Sequence, residues 1–140
     1  MRSVLLLEAN SRPLEKVRIS GGGRCNVTNA SWEPQELVFN YPRGQKSLLG
    51  AFSRFASGDT VSWFYERGVK LVEEIDGRMF PSSNSSDEII SCLQKTAKSY
   101  GVQIIMNSKV KKIKILEENT FFIDCISGCN YLAKTILLGT

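Results

Sequence analysis

Residues 19–29 contain the densest group of side chains suited to ligand binding. Three successive glycines, Gly21, Gly22 and Gly23, let a ligand approach the backbone closely and expose N–H donors to it. Arg24, directly after the glycines, carries a permanent positive charge on a planar set of donors. Ser20, Asn26 and Thr28 add uncharged hydrogen-bonding groups. This set suits the diphosphate or the ring edge of a flavin, whereas the alternative interpretation is a flexible surface loop.

Glu8 is a second candidate, because it ends the apolar run from Val4 to Leu7. In a dinucleotide-binding domain, the second strand ends in an acidic residue that binds the adenosine ribose, about 20 residues after a glycine-rich turn. Seven residues precede Glu8, so we expect the first strand and its G-x-G-x-x-G turn to be missing. A polar residue that merely ends a strand is the alternative interpretation.

Composition excludes several kinds of chemistry. The 140 residues include no histidine, which removes the Ser-His-Asp relay, the Cys-His pair and the HExxH zinc site. The four cysteines lack the two close pairs of a zinc cage, so we expect no metal site and reduced thiols. No residue can be named as catalytic, and redox chemistry would need a cofactor.

The net charge of +4 is a mild excess without the dense basic stripe of a nucleic-acid-binding protein. The longest apolar runs fall far short of the roughly 20 residues that cross a bilayer, and we expect no secretory signal. We therefore expect a soluble intracellular protein with no nucleic-acid or membrane partner.

Hydrophobic periodicity predicts alternating strands and helices, and hence an α/β fold. Helices are predicted over residues 46–57, 60–67 and 86–100, and a hairpin over residues 69–80. Strands are predicted over residues 4–7, 102–106, 109–116, 120–126 and 131–138, with a small β-meander among them. Because apolar runs of buried character lie near both ends, we expect residues 1–140 to be one incomplete domain, truncated at both ends.

The sequence resembles the YhiN/HI0933-like flavoproteins, which are NAD(P)- and FAD-dependent oxidoreductases. The resemblance covers essentially the whole chain and rests on four segments: residues 4–8, 16–29, 52–55 and 76–81. Residues 40–44 and 59–64 make the chain more similar to the plant-type branch than to the bacterial one.

The resemblance implies a partial Rossmann-like FAD/NAD(P)-binding domain that lacks its first βα unit. Glu8 would bind the adenosine ribose, and Val110 would present its backbone to adenine. The flavin would be lined by Lys16 and the loop residues Ser20, Gly21, Gly22, Gly23, Arg24, Cys25 and Asn26.

The function implied is that of a fragment of an FAD-dependent oxidoreductase. Its flavin would pass hydride or electrons between NAD(P)H and an unknown small organic substrate. The alternative is a truncated chain without enzymatic activity, or a weak nucleotide-binding module. We also expect self-association through an exposed edge of strand 4–7, and a longer plant-type form could be plastid-located.

Overall fold

The computed structural model describes residues 3–117 and 120–139. In chain order the elements are β1 (Leu5–Leu7), α1 (Glu15–Ile19), a 3-10 helix (Ser20–Gly23), β2 (Thr28–Asn29), α2 (Pro34–Phe39), α3 (Gln45–Phe52), α4 (Ser57–Tyr65), β3 (Leu71–Glu73), β4 (Arg78–Pro81), α5 (Ser86–Ser99), β5 (Gln103–Ile105), β6 (Val110–Ile115), β7 (Phe121–Cys125) and β8 (Asn130–Ala133). They divide into two compact units, which are described separately below. Unit 1 comprises residues 1–13 and 97–140, and unit 2 comprises residues 14–96.

Unit 1 contains a parallel strand pair and an antiparallel meander. β1 pairs with β5 in parallel, with Leu6 opposite Ile104. The order of the second sheet is β6-β7-β8, with a bulge between Val110 and Lys112. Ile123 and Cys125 alternate inward along β7 and are 7% and 2% exposed. The predicted α/β class and the predicted meander are both confirmed.

Two predictions about apolar runs in unit 1 are wrong. The apolar run of residues 4–7 has a buried character in the sequence, yet Leu5 is 38% and Leu6 43% exposed. Within the described residues β1 has one strand neighbour, β5, which leaves its other edge uncovered. The buried strand expected through residues 136–138 does not form, because β8 ends at Ala133 and Leu137 is 94% exposed.

Unit 2 is built around a three-stranded antiparallel sheet of order β2-β4-β3. The predicted hairpin supplies β3 and β4, with Val72 opposite Phe80, and Gly77 turns between them with φ +79°. The core cluster of this unit consists of Cys25, Phe64, Val69, Ile89 and Cys92. α5 contributes to it through the apolar face that its three-to-four-residue spacing predicts.

Helix boundaries in unit 2 differ from the predicted ones for local reasons. α4 begins at Ser57, three residues before the predicted start, because Asp59 accepts a hydrogen bond from the Ala56 N–H from inside the first turn (2.8 Å). α4 ends at Tyr65, two residues before the predicted end, and Gly68 follows the helix with φ +80°. α2 was not predicted as a helix, although Pro34 at its first turn is a typical start.

Candidate functional site

The glycine loop of unit 2 has a backbone that few other sequences could adopt. Gly21, Gly22 and Gly23 have φ values of +56°, +66° and +85°, and Cys25 follows with φ +61°. Side chains with a Cβ adopt this left-handed region at a cost, so the glycines are required by conformation. The turn is closed by the Cys25 N–H, which donates to the Ser20 carbonyl (3.0 Å).

The first two glycines have opposite surroundings. A Cβ on Gly21 would lie 2.8 Å from Phe80 Cε1 and 2.9 Å from the Asn26 nitrogen, so this position packs directly on its neighbours. A Cβ on Gly22 would meet nothing within 4 Å. The loop is therefore anchored at Gly21 and open at Gly22, where a ligand can reach the backbone.

The guanidinium of Arg24 is bound by other protein side chains. Its guanidinium lies over the Phe80 ring, 4.0 Å from the centroid, and its Nη1 donates to Glu74 Oε1. Glu74 also pairs with Arg78 through Oε2 (3.6 Å). The charge of Arg24, which the sequence predicts to bind a ligand, is thus already neutralised by Glu74.

The remaining residues predicted to bind the flavin differ in which of their groups are available to a ligand. The Ser20 hydroxyl donates to the Val17 carbonyl (2.9 Å). Cys25 is 6% exposed within the core cluster, so only its backbone is available to a ligand. Lys16 and Asn26 are exposed, and neither makes a side-chain hydrogen bond or ion pair within the described residues. These two side chains are the ones best placed to rearrange toward a ligand.

Asn26 also lines a cavity of about 490 Å³, which lies within unit 2. This volume falls in the range of small-molecule sites. The described residues that line it carry no charge, and they combine uncharged polar side chains with aromatic and aliphatic ones: Asn26, Thr28, Asn29, Asn40, Ser57 and Thr60, with Tyr41, Phe52, Phe55, Val27, Leu37 and Ala56. The cavity therefore suits an uncharged ligand with apolar faces.

Hydrogen bonds fix several polar groups of this cavity. Thr28 Oγ1 lies 3.2 Å from Ser57 Oγ, and Ser57 is 1% exposed. Asn29 Oδ1 accepts from the Ser31 hydroxyl (2.7 Å), which in turn accepts from Asn40 Nδ2 (3.2 Å). The aromatic side is fixed as well, since the ring centroids of Tyr41 and Phe52 are 5.4 Å apart.

Unit 1 holds the two predicted residues for the adenosine half of a dinucleotide. The Glu8 backbone joins β5 through its N–H to Ile105 O (2.9 Å), and its carbonyl accepts from the Ser108 N–H (2.8 Å). Glu8 Oε1 accepts from the Asn10 N–H (2.8 Å). Val110 begins β6 two residues after Ser108 and is 38% exposed. Glu8 is thus at the end of a parallel strand, as predicted.

The same unit contains two groups with altered acidity. Burial raises the pKa of the Cys125 thiol, and the charges of Cys129 and Asp124 raise it further. Burial also raises the pKa of Tyr131. Cys125 therefore stays protonated at neutral pH and is a poor nucleophile.

Sequence reasoning missed two residues that shape the loop, Phe80 and Glu74. Residues 76–81 contribute to the resemblance, but the sequence indicates no role for Phe80 or for Glu74. The alternation that predicts the hairpin places Phe80 on a strand and Glu74 directly after one, yet it contains no information about contacts with a loop about 50 residues earlier. Similarly, the cavity needs α2, which was not predicted.

Two negative findings concern the described residues only. None of their helices is long and apolar enough to cross a membrane. Within the same residues, histidine, cysteine, aspartate and glutamate side chains do not gather in threes in a way that could hold a metal ion.

A parallel strand that ends in an acidic residue is a feature of the Rossmann class of nucleotide-binding domains. Comparison with known families agrees, since residues 1–140 match the HI0933-like protein Rossmann domain. The chain belongs to the HI0933-like family, as its Rossmann domain.

The relatives with curated names are distant and longer. The chain is 25% identical, over 99% of its length, to the ribosomal RNA dihydrouridine synthase of Haemophilus influenzae, and 27% identical, again over 99%, to that of Escherichia coli. It is 22% identical, over 96% of its length, to the 3-dehydro-bile acid delta(4,6)-reductase of Clostridium scindens. It spans 34%, 33% and 32% of these relatives, about a third of each.

Proposed function

We propose that this chain is the FAD-binding part of an oxidoreductase. A bound flavin would supply the redox chemistry, taking reducing equivalents from NAD(P)H and passing them to a small organic substrate. The observation that carries this proposal is the glycine loop, whose left-handed backbone is exposed at Gly22 and whose residue Asn26 lines an uncharged cavity.

The loop supports a flat, mainly uncharged ligand part in unit 2. The open backbone at Gly22 lets a ring approach closely, and the exposed Asn26 amide can donate and accept at its edge. We assign flavin binding to Lys16 and residues 20–26. Within this set, the side chain of Arg24 contacts Phe80 and Glu74 and so supports the loop.

The adenosine part is assigned to unit 1 by the resemblance. Glu8 has one oxygen bonded to the Asn10 N–H, which leaves Oε2 to accept from a ribose hydroxyl. Val110 is exposed at the start of β6, where its backbone can contact adenine.

The substrate is best sought in the uncharged cavity. The names of the curated relatives refer to ribosomal RNA and to a bile acid, which are chemically unlike each other, so neither is transferred to this chain. The cavity supports a neutral group with an apolar face, because its described lining has no charge to bind an ionic one.

The test is purification of the chain with added FAD, followed by an absorbance scan for bound flavin at about 450 nm. We expect retained flavin, and we expect Gly22→Ala to weaken FAD binding about tenfold, because its methyl group would occupy the open space at the loop. Gly68→Ala is the matched control, since Gly68 also has a left-handed φ (+80°) and nothing within 4 Å of its Cβ position.

Tryptophan fluorescence would establish that each variant is folded. A wild-type chain that stays colourless at saturating FAD would contradict flavin binding by these residues. Equal FAD affinity in Gly22→Ala and Gly68→Ala would show that the ligand does not approach the loop at Gly22.

A further inference from the structure

The β3–β4 hairpin and the glycine loop meet on one aromatic ring, that of Phe80. This side chain is 2% exposed. Gly21 lies against its edge, and the guanidinium carbons of Arg24 and Arg78 lie 4.0 Å and 5.4 Å from its centroid. The guanidinium of Arg24 is therefore in contact with a buried ring.

Glu74 uses both of its carboxylate oxygens to pair the two arginines. Oε1 accepts from Arg24 Nη1, and Oε2 lies 3.6 Å from Arg78 Nη2. Arg78 has a second carboxylate partner, because its Nε donates to Asp76 Oδ2 (2.7 Å). Two guanidinium charges thus face two carboxylate charges, and the cluster as a whole is neutral.

This pairing changes what the loop can bind. A phosphate or diphosphate group that approached Arg24 would have to displace Glu74, or accept the repulsion of its carboxylate. A flat uncharged ring meets no such competition, since Arg24 lies on Phe80 and leaves the open backbone at Gly22 uncovered.

We propose that Glu74 is a specificity-determining residue, which masks the charge of Arg24 so that the loop accepts an uncharged ring and rejects anionic groups. The ring part of this statement rests on the proposed function. The exclusion of anions does not, because it follows from the Arg24–Glu74 pair alone.

The experiment compares Glu74→Gln with Glu73→Gln. Both variants raise the net charge by one, but the Glu73 carboxylate is exposed and makes no ion pair within the described residues. The probes are inorganic pyrophosphate, followed by calorimetry, and lumiflavin, which has the flavin ring without phosphate, followed by its fluorescence.

We expect Glu74→Gln to bind pyrophosphate at least about tenfold more tightly than either wild type or Glu73→Gln, because one guanidinium becomes free for a charge-assisted hydrogen bond. This gain should decrease as salt is raised and should disappear in the double variant Arg24→Gln/Glu74→Gln. Lumiflavin affinity should stay within about threefold in all single variants.

Pyrophosphate binding to Glu74→Gln that is no tighter than to Glu73→Gln would overturn the proposal. If Glu74→Gln does not fold, as judged by thermal unfolding, Arg24→Gln decides instead. A masked Arg24 contributes nothing to anion binding, so a loss of pyrophosphate affinity in Arg24→Gln would also overturn it. Absence of lumiflavin binding by the wild type would count against the proposed function and leave the pyrophosphate comparison unaffected.

Discussion

Replacing Gly21 with alanine should destabilise unit 2 far more than the same change at Gly22. Both residues have left-handed φ values, +56° and +66°, so each substitution costs about 1–2 kcal/mol of backbone strain. Only at Gly21 does the new methyl group collide, at 2.8 Å from Phe80 Cε1 and 2.9 Å from a backbone nitrogen. Such overpacking adds about 1–3 kcal/mol, because neither a buried ring nor the backbone can move cheaply.

The assay is urea unfolding followed by tryptophan fluorescence, since both tryptophans, Trp32 and Trp63, belong to unit 2. With a urea dependence of about 1–3 kcal/mol/M, the extra loss at Gly21 should move the unfolding midpoint about 1 M below that of Gly22→Ala. Equal midpoints for the two variants would show that the loop does not pack on Phe80 as described.

Three further predictions concern unit 1 and the cysteines. Native alkylation with iodoacetamide should modify Cys129 first, since the other three cysteines are buried. Four adducts should form in urea, and mass spectrometry that finds rapid native modification of Cys125 would contradict its burial. The contribution of the Cys125 thiol to the free energy of unfolding should be fully present below pH 9.0, its ordinary pKa. It should be lost as the pH rises through the raised pKa of the folded state. Urea unfolding followed by circular dichroism at pH 7 to 10.5 checks this, and Cys125→Ala should flatten the decline. Finally, the uncovered edge of β1 should make the isolated chain self-associate, whereas Leu6→Lys should reduce the mass seen by light scattering; a wild-type monomer would refute this.

Local patterns predicted the parts of the fold whose contacts are local. The hairpin, α5 and the meander follow from alternation, helical spacing and turn residues that lie within a few positions of one another. Residues 136–138 show the limit of this reasoning. An apolar run becomes a buried strand only when other strands cover it, and their presence cannot be read from the run itself.

The candidate site was predicted in part, for the same reason. Successive glycines identify a loop that other residues could not form, and a strand that ends at Glu8 identifies a sheet edge. The partner of Arg24 could not be predicted, because Glu74 is 50 residues away along the chain. The sequence therefore indicated a cation for ligand binding where the structure has a neutral pair.

The parallel pairing of β1 with β5 has a consequence for how the chain folds during synthesis. Leu5 pairs with Gln103, so β1 must wait for about a hundred residues to be added, roughly 5–20 s on a ribosome. Unit 2 is continuous in sequence, and its hairpin pairs Leu71 with Pro81. Closing this short loop costs about 2 kcal/mol less than closing the long loop between Leu5 and Gln103. Unit 2 should thus be complete first, while β1 exposes three leucines in the meantime. During this interval β1 is available to a chaperone that binds short apolar segments.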